Sequence, residues 1–302
     1  MRRLFYRLIT FLSRKWGRWI FLLFAWFVAT GYFLLFPGRV GNSIKTYRAL
    51  YPDRQWCFHL WCAWRQFHNF THVFLDRYLL QNSDEITYIS EGMQYLEAAV
   101  ATGKGAILLM SHMGNWEVAA HLLKQELTNL RLLLYMGSKQ KEQIERIQKE
   151  ALAQSGIRII AVDKDGGSPM DLVEGIKFIE SGGGVSMTGD LVWKREQRTI
   201  PVEFLGREIL LPEAPHVLAL LSGAPLFIFF AFRMAKGRYR FSMSEPIYLE
   251  AASRKERMGV IRKSVQNYAH VLEATLRQYP RQWYHFRPFF EPKKKRKKFH
   301  LN

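Results

Sequence analysis

The sequence predicts an α/β fold: a mostly parallel central sheet covered by helices, with a hydrophobic anchor helix at its N-terminus. Three observations carry that prediction. From residue 90 onward, short apolar runs alternate with segments of helical period, which is the pattern of βαβ units. Glycine or small polar residues bound most of the runs, as Gly105 and Ser111 bound Ala106–Met110. The stretch Trp19–Phe36 contains only apolar or small residues and Tyr32, near the ~20 residues that cross bilayer hydrocarbon.

Taken in order, Trp16, Trp19, Trp26 and Tyr32 give the first stretch rings suited to membrane interfaces. Arg2, Arg3 and Arg7 resemble the basic start of a signal peptide, but the apolar run is too long and aromatic for one. Lys and Arg are denser before the run than after it, where Arg39, Lys45, Arg48 and Arg54 stand. The positive-inside rule therefore places the N-terminus in the cytoplasm. A cytoplasmic body would then need a re-entrant or interfacial helix, so crossing and lying in the membrane both stay open. Gly38, Gly41 and Asn42 mark a break, and residues 43–81 read as helical, with Phe67, Phe70 and Phe74 forming a stripe.

Residues 90–102 read as a helix ending at Gly103, followed by a buried strand at Ala106–Met110 and an amphipathic helix at Glu117–Leu127. Strands are expected at Leu130–Met136, Ile157–Val162, Val185–Thr188 and Pro225–Phe232, with Arg238–Met243 alternating like an edge strand. Helices are expected at Lys139–Gln154, Met170–Glu180 and about 253–278. The expected organisation is a basic N-terminus and anchor (1–40), one α/β domain (41–290) and a basic tail (291–302).

The formal charge of +18 is concentrated at the ends. Residues 1–18 hold six Lys/Arg and no acid, and residues 281–298 hold eight Lys/Arg against Glu291. That distribution fits an anionic membrane surface rather than nucleic acid, whose partners carry a basic stripe across the fold. Cys57 and Cys62 have no second pair to complete a zinc site and read as reduced thiols.

The informative segment is Ala106-Ile-Leu-Leu-Met-Ser-His-Met-Gly-Asn-Trp-Glu117. Its histidine falls just past an apolar strand, at the sheet edge where open parallel sheets bind ligands. Five residues along one helix turn by roughly 500°, so His112 and Glu117 would not share a helical face. They meet only if His112 lies in a loop and the chain folds back at Gly114, with Asn115 as helix cap. A carboxylate would then hold one imidazole nitrogen while the other accepts a proton from a hydroxyl. The plain alternative is a satisfied loop histidine and a first-turn acid favoured by the helix dipole. No metal is expected, because His112, Glu117 and His121 lack the two-histidine i, i+4 spacing of a zinc helix. No G-x-S-x-G elbow occurs, and the glycines at 166–167 and 182–184 lack the ending of a phosphate loop.

The H-x4-E pattern after an apolar strand resembles the bacterial late acyltransferases of lipid A biosynthesis, the lauroyl/myristoyl type, and related lysophospholipid acyltransferases. The resemblance runs over roughly residues 43–290. It includes Met187-Thr-Gly-Asp190, Ile200-Pro-Val-Glu-Phe-Leu-Gly206, Leu218–Ile228 with Arg233, and Tyr279-Pro-Arg-Gln-Trp-Tyr-His-Phe-Arg287. It implies a glycerolipid-acyltransferase-like fold with an acyl groove, and a domain facing the cytoplasm at the inner membrane. It also implies that His112, assisted by Glu117, deprotonates an acceptor hydroxyl that attacks an acyl thioester. The implied donor is acyl carrier protein or acyl-CoA. The implied acceptor is a lipid, with lipid A precursor first and lysophospholipid or another lipid as alternatives. Gly114, Asn115, Asp190 and Arg233 match positions beside the substrate. No cofactor is implied: a thioester is already activated, so a base and oxyanion donors suffice. Backbone amides after Gly114 are the expected donors. The run Leu191-Val-Trp-Lys-Arg-Glu departs from the family pattern after Asp190 and leaves the acceptor open.

Overall fold

The computed structural model describes residues 19–80, 86–127, 129–137, 157–162, 169–192 and 197–290. The expected helix at Lys139–Gln154 and both basic termini lie outside these residues.

Helix α1 (Trp19–Leu35) is followed by α2 (Pro37–Leu50) and α3 (Trp56–Leu80). The break between the first two falls at Phe36, not at Gly38, Gly41 and Asn42, which are all inside α2. The cause is Pro37: the residue before a proline is pushed out of helical geometry, and Phe36 adopts φ −120°, ψ 65°. The two helices bend by 90° there. Among the described residues no single helix is long and apolar enough to cross a membrane, and only the bent pair passes by length and composition. The stretch expected to be one anchor helix is therefore, in the described residues, an elbow of two helices. Helix α1 packs on α3 through edge-on aromatic contacts of Trp26 and Phe33 with Trp64. Its other face leaves Trp19, Leu23, Phe27 and Leu34 exposed.

The body alternates β1 (Thr87–Glu91), α4 (Met93–Ala101), β2 (Ala106–Met110), α5 (Trp116–Glu126), β3 (Leu132–Gly137), β4 (Arg158–Val162), α6 (Pro169–Glu180) and β5 (Gly184–Thr188). It continues through β6 (Thr199–Phe204), β7 (Arg207–Pro212), α7 (Ala214–Ser222), β8 (Leu226–Ala235), β9 (Arg238–Met243) and α8 (Arg257–Gln278). Seven strands form one sheet in the order β1-β9-β8-β2-β5-β3-β4. Neighbours pair in parallel except β8 with β9, which are antiparallel. Strand β9 is not the edge expected from its alternation, because β1 pairs outside it. Strand β1 escaped notice because Thr-Tyr-Ile-Ser-Glu is short, polar and mostly exposed.

Side-chain alternation divides two cores. In β2, Ile107 and Leu109 join the cluster covered by α7, α8 and the β6–β7 hairpin. Ala106, Leu108 and Met110 join the cluster covered by α4 and α5. All five are buried, as expected for a central parallel strand covered on both faces.

Candidate active site

The site is set by strand register. Strands β2 and β5 are parallel neighbours with Met110 opposite Thr188. His112 and Asp190 each stand two residues past that rung, so the sheet delivers both to one carboxyl edge. This is also where the strand order reverses, with β8 on one side of β2 and β5 on the other. The Gly189 N–H donates to the Met110 carbonyl at 2.8 Å, carrying the pairing one residue beyond the strands.

Asp190, rather than Glu117, holds His112. The His112 Nδ1–H donates to Asp190 Oδ1 at 2.9 Å, and the His112 backbone N–H donates to Oδ2 at 2.8 Å. Trp283 Nε1–H adds a third bond, to Oδ2 at 2.8 Å. Burial raises the Asp190 carboxyl, but the imidazole beside it and these donors prevail and hold it at about 2. Asp190 is thus ionised at neutral pH. An ionised acceptor fixes the proton on His112 Nδ1 and leaves the lone pair on Nε2. The His112 side chain is 30% exposed while that of Asp190 is fully enclosed, so the imidazole reaches solvent and its partner does not.

The loop 111–115 is clamped from two sides. The Gly114 N–H donates to the Gln282 carbonyl and the Tyr284 N–H to the His112 carbonyl, so 282–284 runs beside the loop like a short strand. On the other side the Asn115 N–H donates to the Ala231 carbonyl of β8 at 2.9 Å. Gly114 has φ +74°, and a Cβ there would stand 1.9 Å from the Ala231 oxygen. Only glycine fits.

Gly114 and Asn115, expected beside substrate, are committed to the protein. The Asn115 side chain caps α5 through the Val118 N–H and donates to the Tyr239 hydroxyl at 3.2 Å. The amides of Gly114, Asn115 and Val118 are engaged within the protein. Glu117 is buried in the first turn of α5. It supplies no bond to His112 Nδ1, because the chain turns at Gly114 but Asp190 already occupies that nitrogen.

Arg233 is no surface ion pair. Its Nε–H donates to Asp76 Oδ2 at 2.6 Å, its backbone N–H to Gln282 Oε1, and the Gln282 Nε2–H returns a bond to its carbonyl. Tyr239 donates its hydroxyl to the same Asp76 oxygen. A hydrogen-bonded chain Asn115–Tyr239–Asp76–Arg233–Gln282 therefore ties the cap of α5 to the segment flanking His112.

Sequence reading passed over Trp283 and His285 as site residues. Trp283 is 1% exposed and His285 5% exposed. Their rings stack at 5.3 Å, and His285 meets His112 edge-on at 5.8 Å between centroids. Burial pushes His285 down to about 4, so it is neutral where Asp190 is charged. The available signal was the Trp-x-His step within Tyr279–Arg287. Among the described residues, no three His, Cys, Asp or Glu side chains converge as a metal-ligand set.

A buried carboxylate, an oriented imidazole and a lone pair on Nε2 make a general base for an acceptor proton. The family model for bacterial lipid A biosynthesis acyltransferases matches residues 71–291, which contain every one of these groups. The chain belongs to that family and is an acyltransferase. No curated protein matches it.

Proposed function

We propose that the protein transfers a fatty acyl group from an acyl thioester to a hydroxyl of a lipid acceptor at the cytoplasmic face of the inner membrane, with His112 as general base. The observation that carries this reading is the His112–Asp190 pair, delivered by register to the crevice edge of the sheet. His112 Nε2 takes the acceptor's hydroxyl proton as the oxygen attacks the thioester carbonyl. The tetrahedral adduct then breaks its C–S bond, and the leaving thiolate takes the proton back from His112. Asp190 stays ionised throughout, offsetting the charge of the transient imidazolium. Acyl carrier protein is the proposed donor and a lipid A precursor the proposed acceptor. Basic termini fit an acidic carrier protein and a phosphorylated lipid alike. The exposed face of α1 supports membrane attachment, since monomeric soluble proteins rarely expose such a patch.

The test is transfer of radiolabel from acyl carrier protein into total bacterial lipid. Label entering a lipid band with wild type and not with His112→Ala supports the reading, and the band identifies the acceptor. Equal labelling by both proteins removes His112 from the role. Labelling only from coenzyme A thioesters corrects the donor.

A further inference from the structure

An open cleft of ≈ 730 Å³ sits at the elbow between α1 and α2, away from His112. Its apolar wall is Leu35, Phe36 and Pro37, and its polar rim carries Arg39, Lys45 and Arg287. All three cations are exposed. The Arg39 guanidinium lies 5.2 Å from the Phe36 ring centroid and 5.9 Å from that of Tyr32, and both rings are themselves exposed. The cleft thus joins three positive charges to the outward apolar face of α1 within one concavity. An apolar wall running into a cationic rim matches the boundary between acyl chain and headgroup of a bilayer lipid. It does not match a soluble anion, which would leave the wall bare.

We infer that this cleft is a binding site for the headgroup of an anionic membrane phospholipid: its phosphodiester faces Arg39, Lys45 and Arg287, and its upper acyl chain lies on Leu35, Phe36 and Pro37. The inference rests on the membrane attachment proposed above and adds a defined headgroup site to it. Arg39 is pre-positioned by its two rings, which lowers the ordering cost of the contact. The site also touches the catalytic region. Asn42 Nδ2–H donates to the Phe286 carbonyl at 3.1 Å, and Phe286 follows His285 directly. A lipid seated here brackets the bilayer side of the segment that carries Trp283.

The experiment is vesicle co-sedimentation of the full chain carrying His112→Ala, so that turnover changes no lipid and failure of the acyltransferase reading is scored separately. Phosphatidylcholine vesicles are compared with mixed phosphatidylcholine–phosphatidylglycerol vesicles at about 0.1 M and about 0.5 M salt, the latter screening diffuse attraction beyond a few ångströms. The cleft variant is Arg39→Gln/Lys45→Gln/Arg287→Gln. A tail variant of equal charge, Lys293→Gln/Lys294→Gln/Lys295→Gln, is the control, and far-ultraviolet circular dichroism checks folding. At low salt both variants weaken, by roughly fivefold per charge removed. At high salt, wild type and the tail variant keep a preference for phosphatidylglycerol and the cleft variant loses it. Equal behaviour of the two variants at high salt overturns the site, as does a wild-type protein with no preference there. Displacement from vesicles by millimolar glycerol phosphate overturns the lipid assignment in favour of a soluble phosphate ligand.

Discussion

Replacing Asp190 by Asn tests the site most directly, because the structure dictates how the amide must sit. Asp190 accepts three hydrogen bonds: two on Oδ2, from the His112 backbone and Trp283, and one on Oδ1, from His112 Nδ1. Asparagine has one oxygen and one NH2 group. With its oxygen at the Oδ2 place, two bonds survive and the NH2 faces Nδ1. The reverse orientation sets the NH2 against two N–H donors and is worse. The first orientation wins, and His112 must then move its proton from Nδ1 to Nε2. That tautomer points a donor at the substrate where an acceptor is required. The expected loss in kcat is on the order of 10³–10⁴, equivalent to about 4–5.5 kcal/mol in the barrier. Fold stability falls much less, by about 1.5–3 kcal/mol for one charge-assisted bond. The assay is single-turnover thiol release from an acyl thioester with lipid acceptor present, beside a thermal unfolding curve. A kcat within about tenfold of wild type would refute the tautomer argument, provided the variant folds.

Four further outcomes are expected. Trp283→Phe keeps the ring but removes one donor to Asp190, lowering kcat by about tenfold or less; the Asp190-dependent step of the acid unfolding profile moves to higher pH. Asp190 is depressed from 3.8 to about 2 in the folded state, so its contribution is complete above the ordinary value and disappears as pH falls toward about 2; acid titration followed by circular dichroism shows that limb in wild type and not in Asp190→Asn. Gly114→Ala drives a Cβ into the Ala231 carbonyl at positive φ, costing about 3 kcal/mol or more and most of the activity, read by thermal unfolding and thiol release. Asp76→Ala strips the partner from the half-enclosed Arg233 and from Tyr239, destabilising by about 3–5 kcal/mol in urea denaturation.

The fold class was legible because β2 and most of β8 are continuous apolar runs, and continuous runs are what strands covered on both faces require. The β6–β7 hairpin was not read as one. Its turn residue Leu205 takes φ 51°, a conformation no propensity assigns to leucine, with its amide bonded to Glu273 of α8. The elbow at Phe36 was legible in Pro37, but the neighbouring glycines drew the break past it. His112 was found because local order places it at a strand end. Local order offered Glu117, five residues away, as its partner, whereas the structure pairs it with Asp190, 78 residues away. Only the pairing of β2 with β5 makes the distant acid the near one, and that pairing is a property of the sheet. Trp283 and the Asp76–Arg233 pair are non-local in the same sense.

The equal offset of His112 and Asp190 from the Met110–Thr188 rung makes the base a fixture of the sheet rather than of any loop. The distance from Nδ1 to its carboxylate is set by this register. The His112–Asp190 pair is therefore written in two adjacent strands. A one-residue deletion in β2 or β5 should therefore end the chemistry for every acceptor at once.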